Sequence, residues 1–418
     1  MAKILINGGK PLSGTIKVSG AKNAALPIIA GVILSTKPVK LTNVPALNDV
    51  TTIAKVLEAL GVKVTRTSNN SYEFDASGQI SEEAPYELVK TMRASFFVMG
   101  PLLARLRKAR VPLPGGCAIG VRPVNIHLKG FEELGAQVSI EGGCAVAVAD
   151  RLVGRKIHLD FPSVGATENL MMAATLAEGH TEIENAAQEP EIEDLAAFLN
   201  ALGAKIQGAG GPTISIDGVE KLGGCEYSVM PDRIEAGTFA VLGAMTKGPI
   251  RVENCEPDHL TALIAKLRDM GATIETGKNY LIASANKRLK ATDIKTLPHP
   301  GFPTDMQAQL MSAMCIADGT SSVTETIFEN RFMHVSELCR MGANIDIHER
   351  TAVVHGVEDL EGAPVAATDL RAGAAMVLSG LAAQGHTEIS QIYHIDRGYE
   401  DLVGRIRKLG ADITRVED

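Results

Sequence analysis

The sequence contains no tryptophan, and aromatic residues make up only 4% of its 418 positions. Apolar residues still account for 45% of the chain, so a folded core must be built mainly from Ala, Val, Ile, Leu and Met. No apolar run approaches the roughly 18 residues of a membrane-spanning helix, and the first residues show no signal-peptide pattern. We therefore expect a globular protein without a membrane segment.

Several common site signatures are also missing. None of the six cysteines forms a Cys-x-x-Cys pair, and no paired-His spacing is present, so we predict no metal and no cofactor. Neither a dinucleotide fingerprint nor a Walker loop occurs. The net charge of −8 argues against nucleic acid or an anionic membrane as the main partner. Scattered cysteines without an export signal are typical of the reducing cytoplasm, which is the predicted location.

One phrase recurs along the chain: Leu or Met, then Gly, then Ala or Val. Its glycines are 68 to 74 residues apart, at Gly61, Gly135, Gly203, Gly271, Gly342 and Gly410. Each glycine suits the left-handed position that ends a helix. A strand such as 15–18, a helix of small residues and a second strand precede each phrase, and two strands follow the turn. The pattern predicts six β-α-β-α-β-β repeats.

The repeats fall into two triplets. The segment Gly-His-Thr-Glu-Ile occurs at 179–183 and again at 385–389, about three repeats later. The sixth repeat lacks its last strand, and the N-terminal segment 3–8 resembles the last strand of repeat three. We predict one three-repeat domain from residues 22–230 and another from 1–21 plus 231–418, completed by the N-terminal strand. Two crossings, near residues 20 and 230, suit a hinge with a ligand cleft.

Charged and polar residues stand at equivalent helix starts, where the other residues are small and apolar. A helix N-terminus binds anions, so cations tolerated there indicate an anionic ligand; surface salt bridges are the alternative. Asp305 is either a helix cap or a general base in a cationic cleft. The starts hold Lys22-Asn23, Arg93, Ser163-Val164-Gly165, Asp232-Arg233, Thr304-Asp305 and Asp369-Leu370-Arg371.

The loop of repeat two, 112–127, departs most from the pattern. It contains two early prolines and three glycines around Cys117, with Arg122 five residues further on. A thiol in such a setting can act as a general acid or a nucleophile, and the loop suits a lid. We expect the other five cysteines to be small buried apolar residues. The matching loops contain Glu189, Glu191, Arg331 and Arg397.

These motifs together resemble the UDP-N-acetylglucosamine 1-carboxyvinyltransferase family of enolpyruvyl transferases, along the whole chain. The resemblance implies a two-domain inside-out α/β barrel with three β-α-β-α-β-β repeats per domain around a pseudo-threefold axis, helices inside. The segments that carry it include Ser19-Gly-Ala-Lys22-Asn23-Ala, Leu113-Pro-Gly-Gly-Cys117, Pro231-Asp-Arg-Ile-Glu-Ala-Gly-Thr238, Phe302-Pro-Thr-Asp305, Phe328-Glu-Asn-Arg-Phe-Met-His334 and His394-Ile-Asp-Arg397-Gly-Tyr.

The resemblance also implies an activity. The family transfers enolpyruvyl from phosphoenolpyruvate to the 3′-hydroxyl of UDP-N-acetylglucosamine by addition and elimination, releasing phosphate, at the start of peptidoglycan synthesis. By this resemblance Cys117 protonates the methylene carbon, can form a phosphoenolpyruvate adduct and reacts with fosfomycin, while Asp305 takes the hydroxyl proton. Lys22, Arg122 and Arg397 are expected to hold phosphate and carboxylate, with Asn23 beside them.

The residues expected to contact the UDP-sugar come from several repeats. Asn125 and Phe161 depart from the family pattern, since Asp is usual at 125 and some members have Lys at 161. An amide still offers a carbonyl to uracil, whereas the change at 161 removes a charge. The set is Arg93, Arg122, Pro123, Val124, Asn125, Ile126, Phe161, Pro162, Ser163, Val164, Asp305 and Ile327, with Asp369 and Arg371 in the cleft.

Two alternatives remain open at this point. The shikimate-pathway enolpyruvyl transferase shares the expected fold and phosphoenolpyruvate, but it lacks the Pro-Gly-Gly-Cys lid thiol. A six-repeat ring that clamps DNA belongs to a different class of protein. A clamp needs basic residues along an inner helical face, whereas these helices are rich in Ala, Met and Leu and place their cations at the starts.

Overall fold

The computed structural model describes residues 2–115 and 124–417 of the chain. Its strands, in chain order, are β1 (Lys3–Asn7), β2 (Gly14–Lys17), β3 (Val39–Thr42), β4 (Lys63–Ser68), β5 (Ser71–Asp75), β6 (Lys108–Pro112), β7 (Gln137–Glu141), β8 (Cys144–Val148), β9 (Lys156–His158), β10 (His180–Glu184), β11 (Lys205–Gln207), β12 (Thr213–Asp217), β13 (Glu226–Ser228), β14 (Ile250–Glu253), β15 (Thr273–Gly277), β16 (Tyr280–Ser284), β17 (Ile294–Lys295), β18 (Thr320–Thr324), β19 (Asn344–His348), β20 (Thr351–His355), β21 (Pro364–Ala366), β22 (His386–Ser390) and β23 (Asp412–Val416).

The helices alternate with these strands. They are α1 (Lys22–Gly31), α2 (Asn48–Ala59), α3 (Tyr86–Val89), α4 (Met99–Leu106), α5 (Asn125–Glu133), α6 (Val164–Ala174), α7 (Pro190–Ala201), α8 (Arg233–Thr246), α9 (Thr261–Asp269), α10 (Gln307–Cys315), α11 (Val335–Arg340), α12 (Leu370–Ala382) and α13 (Leu402–Lys408). Short 3-10 turns occur at Val32–Leu34, Arg93–Val98, Pro257–Leu260, Thr304–Met306 and Ile392–Arg397.

The recurring glycines end the second helix of each repeat, as predicted. All six have positive φ, between 87° at Gly342 and 108° at Gly203. In the first five turns the N–H of the following residue donates to the carbonyl five positions back, for example from Val62 to Leu57. This is the bond that defines a Schellman cap, which satisfies an otherwise unpaired helix carbonyl. The helix-end prediction is therefore confirmed.

The chain forms two compact units. The N-terminal unit contains residues 20–115 and 124–230, and the C-terminal unit contains residues 2–19 and 231–417. Each unit has three small sheets. Their strand orders are β13-β3-β5-β4, β6-β8-β7 and β11-β12-β10-β9 in the N-terminal unit, and β15-β16-β14-β2, β17-β18-β20-β19 and β21-β22-β1-β23 in the C-terminal unit.

The first strands of repeats one and four each pair with a strand of the other repeat. The predicted domain bounds placed the segment of β2 with the C-terminal domain and that of β13 with the N-terminal domain, but the sequence pattern did not predict their partners. In repeats three, five and six the first strand pairs in parallel with the second strand of the same repeat. By contrast, β2 precedes α1 but pairs with β14, and β13 precedes α8 but pairs with β3. Strand pairing is non-local, so periodicity alone does not reveal it.

The strand β1 lies between β22 and β23 and is antiparallel to both. It takes the place that β12 takes between β10 and β11 in repeat three. Ile4 and Ile6 point to the buried face, where their exposed fractions are 2% and 0%. The alternation of Ile-Leu-Ile in this short strand thus supplies two core side chains to the sixth sheet.

Three helices of small and aliphatic residues form the centre of each unit. In the C-terminal unit, α8, α10 and α12 contact one another, and every residue of α8 and α10 is buried. In the N-terminal unit, α1 and α4 contact α6. A side chain on Gly100 of α4 would overlap the Asn169 carbonyl of α6, so glycine is required at this close approach. Burial of these helices contributes to the hydrophobic stabilisation of each unit.

Helix length and composition also bear on membranes. Among the helices of residues 2–115 and 124–417, none combines the length and the apolar composition needed to cross a bilayer.

We predict that Ile6→Ala lowers the free energy of unfolding by about 2–5 kcal/mol, because it removes a fully buried side chain from β1. Urea denaturation measures this change. Ile140→Ala is the matched control, since Ile140 on β7 is 53% exposed and its truncation is expected to cost at most about 0.5 kcal/mol. Equal losses in the two variants would contradict the role of β1 in the core.

Candidate active site

The polar residues identified at the helix starts do lie at the starts of the central helices. Four helices begin within one residue of them, and in repeats two and five a 3-10 turn precedes the helix. The starts are Lys22 for α1, Arg93 for the turn before α4, Val164 for α6, Arg233 for α8, Thr304 for the turn before α10 and Leu370 for α12.

Three of these starts have side-chain caps. Ser163 Oγ accepts from the N–H of Ala166 at 3.3 Å, and Asp369 Oδ1 accepts from Arg371 N at 2.7 Å. Asp232 Oδ1 accepts from two backbone N–H groups at the start of α8. These caps satisfy part of the unpaired donors that every helix start leaves. The predicted site residues Ser163 and Asp369 therefore also stabilise their helices.

Asp305 is held between two buried arginines. Arg331 Nη2 donates to its Oδ1 at 2.8 Å, and Arg371 Nη2 donates to its Oδ2 at 3.0 Å. The arginine side chains are 4% and 3% exposed, whereas that of Asp305 is 26% exposed. No side-chain cap bond forms at Thr304–Met306. Asp305, the predicted general base, thus has a fixed and partly accessible carboxylate, and the two arginines balance its negative charge.

The guanidinium of Arg371 stays charged in this setting. Burial acts to lower its pKa, but the carboxylate of Asp305 is the foremost of the groups that together raise the pKa above its usual range. Its Nη1 also donates to the hydroxyl of Tyr399 at 3.5 Å.

The backbone of Asp305 is anchored by Gln309. Gln309 Nε2 donates to the Asp305 carbonyl at 2.9 Å and lies 3.3 Å from the same Tyr399 hydroxyl. Backbone and side chain of Asp305 are both anchored in this way.

Lys22 is the first residue of α1 and is buried. Its Nζ lies 3.3 Å from Oδ2 of Asp49 on α2, which is also buried. Asn23 follows in the same helical turn. Lys22 and Arg371 therefore do form salt bridges, which was the alternative to an anionic ligand. That alternative placed the bridges on the surface, however, whereas both pairs are largely buried.

The starts of α5 and α6 lie side by side in the N-terminal unit. Gly165 faces the ring of His127, and a Cβ on this glycine would lie 3.3 Å from His127 Cε1. The two helices contact each other directly. The segments that carry the predicted UDP-sugar residues, Val124–Ile126 and Phe161–Val164, are consequently neighbours. Phe161 itself is 42% exposed.

His127 is a residue that the sequence reasoning did not select. Asn169 Nδ2 lies 3.1 Å from its Nδ1, and Phe96 packs edge-on against its ring with centroids 5.3 Å apart. Burial, and then the charge of Arg93, lower the pKa of His127 to about 3. The imidazole is therefore neutral at physiological pH. Its position two residues after Asn125 was the only available signal in the sequence.

A cavity of about 260 Å³ opens beside these helix starts. It lies between α5 and β9, where Lys129 and Asp160 form an ion pair at 3.0 Å. Its lining is Ile126, Lys129, Gly130, Glu133, Lys156, Ile157, His158, Leu159 and Asp160.

The remaining predicted residues of the C-terminal unit lie on loops. Ile327 follows β18, and its N–H donates to Oε1 of Glu325 at 2.8 Å. Arg397 ends the 3-10 turn Ile392–Arg397. Burial, and then the charge of Arg397, lower the pKa of His394 in the same turn. The sequence pattern placed Arg331 in a loop without a role. Its contact with Asp305 makes it part of the candidate active site.

Cys117, Arg122 and Pro123 lie outside the described residues. The five described cysteines are free thiols. Cys144, Cys255 and Cys315 are buried as expected, but the expectation was wrong for the other two. Cys225 is half-buried, and Cys339 is exposed because the outer helix α11 turns it away from the core. Among residues 2–115 and 124–417, no group of three or more His, Cys, Asp or Glu side chains could hold a metal ion.

Residues 6–406 match the family model described as EPSP synthase (3-phosphoshikimate 1-carboxyvinyltransferase). Full-length relatives bear a different name. A UDP-N-acetylglucosamine 1-carboxyvinyltransferase 2 from Carboxydothermus hydrogenoformans is 58% identical, with 100% of both chains covered. A UDP-N-acetylglucosamine 1-carboxyvinyltransferase 1 from Staphylococcus aureus is 55% identical, also with 100% of both chains covered.

Solved structures confirm the predicted fold class. The enolpyruvyl transferase NikO from Streptomyces tendae matches with a TM-score of 0.89 and 26% identity, covering 99% of both chains. An EPSP synthase from Acinetobacter baumannii matches with a TM-score of 0.79 over 100% of both chains, but its 19% identity shows the fold alone. The shikimate-pathway enzyme is thus a distant relative, and the DNA-clamp alternative is set aside. The chain belongs to the UDP-N-acetylglucosamine 1-carboxyvinyltransferase family of enolpyruvyl transferases.

Proposed function

We propose that the protein transfers the enolpyruvyl group of phosphoenolpyruvate to the 3′-hydroxyl of UDP-N-acetylglucosamine and releases phosphate. The observation that carries the proposal is the partly exposed carboxylate of Asp305, fixed by Arg331 and Arg371 at the start of a central helix. It occurs in a chain that is 54–58% identical to enzymes named for this acceptor.

The proposed reaction has two steps. In the addition, a proton is added to the methylene carbon, C3 of phosphoenolpyruvate, while the sugar oxygen bonds to C2 and loses its proton. In the elimination, a C3 proton and phosphate leave, which restores the double bond. Asp305 is the acceptor for the hydroxyl proton. The two arginines keep its carboxylate in one orientation, which general-base catalysis requires.

Phosphoenolpyruvate carries negative charge on both its phosphate and its carboxylate. Lys22, Arg122 and Arg397 are the proposed cations for these groups, with Asn23 as a neutral donor. The start of α1, whose N-cap residue forms no side-chain cap bond, adds the positive end of the helix dipole to the attraction at Lys22 and Asn23. Fixed cations of this kind stabilise the charge that develops as phosphate leaves.

Cys117 is the proposed acid that protonates the methylene carbon. A thiol with an ordinary pKa near 8.5 is mostly protonated at neutral pH and is still a strong nucleophile when ionised. It therefore suits both proton donation and the reversible adduct with phosphoenolpyruvate. Alkylation of the same sulfur by fosfomycin is part of the proposal.

The neighbouring starts of α5 and α6 are the proposed UDP-sugar subsite, together with Arg93, Arg122, Pro123 and, from the C-terminal unit, Asp305 and Ile327. Asn125 offers uracil an amide in place of a carboxylate, so it can donate as well as accept. Ser163 and Val164 present the N-terminus of α6 toward an anion. Phe161 supplies an exposed apolar surface. Asp369 and Arg371 complete the cleft.

The proposed reaction begins peptidoglycan synthesis and uses two metabolites of the cytoplasm, which is the proposed location. Loss of the enzyme would then affect cell shape and division through the cell wall.

The acceptor decides between the two enolpyruvyl transfers. We expect phosphate release from phosphoenolpyruvate in the presence of UDP-N-acetylglucosamine, and none above background with shikimate 3-phosphate. A colorimetric phosphate assay measures both. Release only with shikimate 3-phosphate would favour the alternative enzyme, and release with neither would contradict both.

We expect Asp305→Asn to lower kcat by about 10²–10⁴-fold, because the amide cannot accept the hydroxyl proton. Steady-state phosphate release measures the effect. Asp346→Asn is the control, since Asp346 lies in the same repeat with a side chain that is 63% exposed. A kcat for Asp305→Asn within a few-fold of the control would contradict the proton-acceptor role.

Fosfomycin is expected to label one thiol. Incubation with fosfomycin and UDP-N-acetylglucosamine should give an adduct on Cys117 and none on the exposed Cys339, because exposure alone does not make a thiol reactive. Peptide mass spectrometry locates the adduct, and Cys117→Ser should remain unlabelled. Labelling of Cys339 in place of Cys117 would overturn the assignment.

A further inference from the structure

The residue directly after the second strand occupies an equivalent position in each repeat. This residue usually has an amide side chain. Three of these amides have positive φ and donate through Nδ2 to the backbone carbonyl that follows the first strand of the same sheet. The pairs are Asn43 with Val229 at 2.8 Å, Asn185 with Leu159 at 2.7 Å and Asn254 with Val18 at 3.0 Å. The amide thus ties two parallel strands at their ends.

The other three repeats lack this asparagine, since Leu113 follows β6, Gln391 follows β22 and Glu325 follows β18. Repeat five is the one of these in which a carboxylate takes the position. A carboxylate has no proton to donate, so the strand tie has to run in the opposite direction. The residue after β17 is Thr296, and its Oγ1 donates to Glu325 Oε1 at 2.8 Å. The same two strands remain tied, but the donor and the acceptor have changed places.

The carboxylate makes further bonds that an asparagine at this position does not make. Its Oε2 accepts from Thr304 Oγ1 at 2.9 Å. Its Oε1 also accepts from the N–H groups of Ile327 at 2.8 Å and Phe328 at 3.2 Å. Glu325 is 1% exposed, so these bonds form away from water, where an unpaired oxygen is costly. One buried group therefore joins three segments of the chain.

Two of those segments contain residues of the proposed site. Thr304 directly precedes Asp305, and the same turn is held by Arg331, whose Nη2 reaches Asp305. Ile327 belongs to the proposed UDP-sugar contacts, and Arg331 lies four residues beyond it. We infer that Glu325 is a positioning residue for this reaction, which sets the Asp305 turn against the 327–331 loop. The inference rests on the proposed function.

The bond between Glu325 and Thr296 alone joins the two strands as the asparagines do in other repeats. A carboxylate with only this structural role would not need the additional bond to Thr304. The bond to Thr304 reaches the start of a central helix, whereas the amides bond a residue that follows a strand. The change to a carboxylate occurs in the repeat that supplies the proposed proton acceptor. Position and chemistry thus point to the same role.

Thr304→Val tests the inference, since it removes one hydroxyl and keeps the side-chain shape. Thr324→Val is the matched control: its hydroxyl bonds Thr351 Oγ1 at 3.1 Å in the neighbouring strand. We expect Thr304→Val to lower kcat by about tenfold to a hundredfold, because small misplacements of a reacting group have effects of that size. The KM for phosphoenolpyruvate should change by less than about twofold, and Thr324→Val should leave kcat within about twofold.

Glu325→Gln and Glu325→Ala supply the second test. The glutamine oxygen can still accept from Thr296, Ile327 and Phe328, so Glu325→Gln should retain more of the wild-type kcat than Glu325→Ala. Assays are run below the melting temperature of each variant, and rates are divided by the folded fraction. If Glu325→Ala does not fold, the comparison of Thr304→Val with Thr324→Val tests the positioning role by itself.

Equal kcat values for Thr304→Val and Thr324→Val would overturn the positioning role while the proposed function stands. Wild-type kcat in Glu325→Ala would overturn it as well. Wild-type protein that releases no phosphate with UDP-N-acetylglucosamine would instead overturn the proposed function, and the inference would fall with it.

Discussion

Burial of the central helices along almost their whole length is the constraint on which the rest of the structure depends. Every residue of α8 and α10 is buried, so the polar side chains along these helices are shielded from solvent. Only their ends are available for chemistry. Each start exposes N–H groups that require acceptors, which favours caps such as Asp232 and makes the same places suitable for anions. The fold thus concentrates polar function at a few helix starts.

Charge placed at such a start has to be compensated within the protein. Arg371, in the first turn of α12, is buried and would be strongly destabilising without a counter-ion. Asp305, from the start of the neighbouring central helix, supplies that charge. Its carboxylate therefore stabilises the unit as well as serving as the proposed proton acceptor. Stability and catalysis are coupled at this residue, and its neutralisation affects both.

Much of this arrangement could be predicted from the sequence, because it depends on local patterns. Helix ends follow from glycine conformation, and buried helices follow from runs of small residues. The pairing partners of β2 and β13 could not be predicted, since the paired residues are 236 and 186 positions apart in the chain. His127 was missed for a similar reason. Its partner Asn169 lies on another helix, and only the fold brings the two together.

The repeat pattern nevertheless identifies unusual residues when donors and acceptors are compared position by position. Replacing asparagine by Glu325 alone would leave the strand tie with two acceptors facing each other. A threonine at 296 restores the donor, so the exchange of roles involves both residues. The pair conserves the strand tie and leaves the second oxygen of Glu325 for Thr304. The reversed donor and acceptor thus keep the framework of the repeat and connect it to the turn that contains Asp305.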